Sequence, residues 1–117
     1  MNVNTKSSEK DSLEIPIEEI NKEVISTYKK GLMLLIKNIG DKETETRVRE
    51  DFNKLENYYS EQLKARGLMD PFDKNNSLLS LIDGTRTYLE VSNPMGSENK
   101  GYLEYLLEKA NSQFKEE

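Results

Sequence analysis

The segment Ile17–Gly40, "IEEINKEVISTYKKGLMLLIKNIG", decides how the rest of the chain is read. Ile17, Ile20, Val24, Tyr28, Leu32, Leu35 and Ile39 recur every three or four residues. That spacing lays one apolar stripe along an α-helix. Pro16 suits a first helical turn, where its missing N–H costs little. Glu18 and Glu19 sit at the positive end of the helix dipole, and Gly40 is a good stop. A helix over 16–39 follows.

The two halves of this helix differ. Ile17, Ile20, Val24 and Tyr28 keep to a narrow line. In the run "LMLLI" at 32–36, Leu34 and Ile36 fall roughly 100° to either side of that line, and Met33 lies nearly opposite. A helix apolar all round needs cover all round. Either this half is the central element of a small bundle, or Met33, Leu34 and Ile36 meet another protein. Methionine adapts well to such surfaces.

Further along, Val48, Phe52, Leu55, Tyr59, Gln62 and Leu63 give a second stripe, a helix over 42–66 with Asp41 as N-cap and Gly67 as its end. Its start, "DKETETRVRED", reads as solvated. Pro71 with neighbouring Asp and Asn marks a loop. A third helix starts near Ser77 and carries Leu78, Leu81, Ile82 and Leu89, although Gly84 interrupts it. Residues 85–91, "TRTYLEV", also suit a short strand, but no pairing mate is visible, so helix is favoured. "SNPMGSEN" is a loop. Leu103, Leu106, Leu107, Ala110 and Phe114 define a fourth helix over 98–115. Residues 1–12, "MNVNTKSSEKDS", have little to bury and read as a disordered tail. The expected architecture is all-α: one helical domain over 13–117, a small antiparallel bundle of about four helices.

Composition narrows function by exclusion. The chain has 117 residues, no Cys and no His, which removes disulfides, thiolate chemistry and His-based acid–base or metal sites. About a quarter of the residues are Leu, Ile, Val or Phe, above the roughly one-fifth below which chains stay disordered. Mean hydropathy is -0.83, and no apolar run approaches the roughly 20 residues of a membrane span. No leader-like apolar segment opens the chain, which points to a cytoplasmic protein. No Gly-rich phosphate loop is present. "DKNNS" at 73–77 echoes calcium-loop oxygen spacing through Asp73, Asn75 and Ser77, but lacks the Gly and final Glu of such a loop. Turn and cap chemistry accounts for it. No enzyme activity, cofactor or metal is expected.

Seventeen basic residues face 22 acidic ones, a net charge of -5. Such a surface steers toward basic protein partners. The expected function is a small acidic helical protein-binding module, an inhibitor, immunity factor or adaptor that occludes or bridges a partner protein. The candidate interface residues are Met33, Leu34, Ile36 and Tyr105, with Glu43, Glu45, Glu50 and Asp51 as the acidic set. Tyr105 lies opposite the apolar face of the fourth helix and suits contact work. The alternative is a structural subunit that self-assembles, for instance as a homodimer, or fills a place in a larger complex. A third reading, a nucleic-acid accessory protein using Arg47, Arg49, Lys54, Lys64 and Arg66, ranks lower. Those residues do not share one face, and acids interleave with them.

Overall fold

The computed structural model describes residues 15–70, 74–92 and 95–114, with backbone alone for residues 74 and 75. The tail expected over 1–12 lies outside the described residues, as does Asp73 of the calcium-like segment. The described chain is helical: α1 (Ile17–Lys37), α2 (Lys42–Ala65), α3 (Lys74–Val91) and α4 (Lys100–Gln113). A short 3-10 turn, Ser97–Asn99, leads into α4. Residues 85–91 belong to α3, so the helical reading of that segment holds and the strand alternative does not.

The helices form where the stripes predict, with small shifts at their ends. α1 stops at Lys37 because the Asn38 N–H and side-chain amide turn back onto the Leu34 carbonyl. Gly40 follows at φ +91°, a conformation that favours glycine. Asp41 stands at the N-cap of α2, but its carboxylate accepts the Thr44 hydroxyl at 2.6 Å rather than a backbone N–H. α3 begins three residues earlier than expected. There the Asn76 side-chain amide donates to the Leu68 carbonyl at 3.3 Å and also to the Asp70 carbonyl, latching the start of α3 over the end of α2.

Contacts along the helices fix their directions. Gly31 meets Phe52 and Val48, the Tyr28 ring lies 5.4 Å from Phe52, and the Tyr59 hydroxyl donates to Asn21 at 2.6 Å. At the far end, the Arg66 guanidinium donates to the Ile15 carbonyl. Residue numbers fall along α1 as they rise along α2, so the two are antiparallel. α2 and α3 run antiparallel by the same logic, through Glu45 with Met95, Glu56 with Arg86, and Leu68 with Asn76.

One core holds these elements together. Ile20, Val24, Tyr28, Leu32 and Leu35 of α1 pack with Val48, Phe52, Tyr59 and Leu63 of α2. Leu78, Ile82 and Leu89 of α3, and Leu103, Leu106 and Ala110 of α4, complete it. α2 packs closely on α1 and on α3, and α4 packs on α1. α3 and α4 have no comparable contact. The ring of four helices is therefore closed along three seams and open along the fourth.

Candidate functional site

The open seam is a groove of about 720 Å³ between α3 and α4. It follows from what the two helices present. The α3 wall is made of Asn76, Ser77, Ser80 and Gly84, residues too small to reach across. The α4 wall is made of Tyr102, Tyr105, Lys109 and Gln113. Leu81, Thr85 and Leu106 form the floor, where Thr85 and Leu106 are buried.

The helices meet near one end. There the Tyr88 and Tyr102 rings stand 4.5 Å apart, and the Asn99 amide donates to the Tyr88 hydroxyl at 2.6 Å. Tyr105 continues the row, its ring 6.0 Å from that of Tyr102. The Lys109 ammonium sits 6.0 Å from the Tyr105 centroid, at the outer limit of a cation–π contact. Offset aromatic rows of this kind present a large, rigid, amphipathic surface. Beneath the floor, Thr85 donates to the Leu81 carbonyl at 2.8 Å. Its only proton is thus used, so the Tyr28 hydroxyl is the donor in its 2.7 Å bond to Thr85. That bond crosses the bundle from α1 to α3. Burial pushes the Tyr28 phenol up to about 12.

The structure separates the interface candidates. Tyr105 is 52% exposed and lines the groove. Met33 and Leu34 are each 44% exposed on α1, which contributes nothing to the groove lining. The run at 32–36 is mixed: Leu32 and Leu35 are buried, Ile36 is half-buried, and Met33 and Leu34 are exposed. Ile36 differs from the exposed pair, since it packs against the core.

Glu43, Glu50 and Asp51 are exposed on α2. Glu45 is not. It is 4% exposed and accepts the Met95 N–H at 3.3 Å from both carboxylate oxygens. The expectation of a solvated acidic residue fails there because Glu45 lies three residues before Val48, on the buried stripe. Its work is to fasten the connection that leads into α4. Asp51 lines a shallower hollow of about 420 Å³ between α1 and α2, with Glu23, Thr27, Lys54 and Tyr58.

Other charged groups are occupied with each other. Arg86 bonds Glu56 at 2.7 Å, Asp83 at 2.8 Å and Glu90 at 3.1 Å, a clasp between α2 and α3. Partial burial pushes the Glu56 carboxyl upward, while Arg86 pulls it back. With three carboxylates around it, this guanidinium is not an open anion site. Among the described residues no cluster of three or more potential metal ligands occurs, and no helix is long and apolar enough to cross a membrane.

Stripe reading did not find the groove. Its available signal was Ser80 and Gly84, four residues apart on one face of α3, of which Gly84 alone stands out in the sequence, as an interruption of the helix. Comparison with known proteins finds no matching family model, no similar curated protein and no similar solved structure.

Proposed function

We propose that this chain is a small, non-catalytic helical binding module that occludes or bridges a partner protein, with the α3–α4 groove as its main contact face. The observation that carries this reading is the unclosed seam of an otherwise packed bundle, where Tyr102 and Tyr105 stand exposed in a row. Rigid aromatic side chains at the edge of a groove are typical binding anchors. Met33 and Leu34 supply a second apolar spot on α1. Two separate surfaces suit an adaptor that bridges better than a plug that blocks one target. The net charge of -5 would steer the approach of a basic protein without setting the final fit. A cytoplasmic location belongs to the same reading.

Affinity capture from the native cell extract tests this, with the intact chain set beside Gly84→Leu and Met33→Asp. An added side chain at Gly84 enters open space, so Gly84→Leu blocks the groove without disturbing the core. The expected result is a stoichiometric protein partner retained by the intact chain and lost by Gly84→Leu. A bridging role predicts a second partner lost only by Met33→Asp. A capture profile identical for all three folded proteins would refute the reading.

A further inference from the structure

Among the described residues the groove lining has one charged side chain, with two tyrosines on one wall and small residues on the other. Resting on the binding-module reading above, we propose that its occupant is an amphipathic α-helix of a partner protein, seated as a fifth helix between α3 and α4, with an acidic residue placed against Lys109.

Three properties of the groove select a helix. Its α3 wall runs from Asn76 to Thr85 and its α4 wall from Tyr102 to Gln113. At 1.5 Å per residue this is about 15 Å, roughly ten residues of an added helix. Both walls are helices, whose backbone N–H and C=O groups are already paired within each helix. An extended peptide would find no edge to pair with and would leave its own backbone groups unsatisfied. A helix arrives with those groups satisfied and needs only side-chain fit. Gly84 adds a further indication. A Cβ there would touch nothing within 4 Å, so the fold does not require glycine in this helix interior. Its lack of a side chain opens room for another backbone to come close.

Charge selects the occupant's origin. Among the described residues Lys109 is the only cation in the lining, and it lies at the tyrosine wall. A carboxylate on the incoming helix complements it. Among the described residues, a second copy of this chain offers no apolar helix ridge outside the groove with a carboxylate along it. Tyr58 and Val91 are exposed singly on their helices, and the Met33–Leu34 face is flanked by Lys30 and Lys37. Inserting that face would set like charges together.

The test uses the full chain and a displayed library of helix-forming peptides about fifteen residues long, with an apolar ridge and randomised charged positions. Selected peptides should carry small and branched apolar residues along the ridge and an acidic residue toward one end. Their affinity should fall at least tenfold for Gly84→Leu and, as an independent block, for Ser80→Leu, both confirmed as folded by circular dichroism. Lys109→Glu should reverse the preference, favouring a lysine at the acidic position. Peptides whose binding ignores both blocks, or shows no charge reversal at Lys109, would overturn the proposal. So would an intact chain that sediments as a dimer and becomes monomeric on Gly84→Leu, since the occupant would then be a second copy. A partner that is captured from extract and lost by Gly84→Leu, alongside a failed peptide selection, would leave the binding module standing and remove only the helical occupant.

Discussion

Gly31 and Gly84 are both glycines in helix interiors, and they do opposite things. At Gly31, on the α1–α2 seam, a Cβ would lie 2.5 Å from the Phe52 ring. The missing side chain is the space that Phe52 occupies. At Gly84, on the α3–α4 seam, the corresponding space is empty. The same residue type closes one seam and leaves the other open. A small residue therefore says where a helix can be approached; the partner wall decides whether anything approaches.

The contrast can be broken most severely at Phe52. Phe52→Ala removes the ring that fills the Gly31 space and touches Tyr28, and should cost about 3–5 kcal/mol in chemical denaturation. A loss below 1 kcal/mol would mean that the α1–α2 seam is not the tight one. The next largest effect is alkaline. Tyr28 holds its proton to about pH 12 in the folded chain, against about 10 when unfolded. Below pH 10 the phenol is neutral in both states. Above it the unfolded chain ionises first, so stability falls as pH rises from about 10 to about 12, by up to about 2–3 kcal/mol. Tyr28→Phe should flatten that fall, and identical pH profiles for the two proteins would show that Tyr28 does not contribute to it. Gly31→Ala should then destabilise by about 1–3 kcal/mol through overpacking, with a smaller penalty in a Phe52→Ala background where the ring no longer obstructs. The smallest effect carries the opposite sign. Gly84→Ala should raise stability by about 1 kcal/mol, the ordinary gain of alanine over glycine in a helix. A loss there would mean that the groove is narrower than described.

Most of the bundle was legible because core packing repeats along each helix. Val48, Phe52, Leu55, Tyr59 and Leu63 were expected on one face and are buried on it. Tyr105 was expected to be exposed and is. Where the reading failed, the cause was an interaction between segments distant in sequence. Glu45 looked solvated among neighbouring charges, yet its stripe position and the Met95 N–H 50 residues away bury it. Met95 itself, in a loop between breakers, gave no periodic signal, yet it is buried. The groove was hidden for a similar reason. A stripe shows which way a helix faces but not how far it stands from its neighbour. Ser77, Ser80 and Gly84 became informative only once α4 was seen to remain apart from them.

The groove's walls and the core share few residues. Ser77, Ser80, Gly84, Tyr102 and Tyr105 are exposed, while the packed interior rests on Phe52, Tyr28 and their neighbours. Substitutions on the walls therefore change what the chain can hold with little penalty in folding. Over generations of sequence drift, or in a deliberate library, the chemistry of these walls can be rewritten on this frame while the frame persists. Such a separation lets one face of the molecule change quickly while the shape is retained.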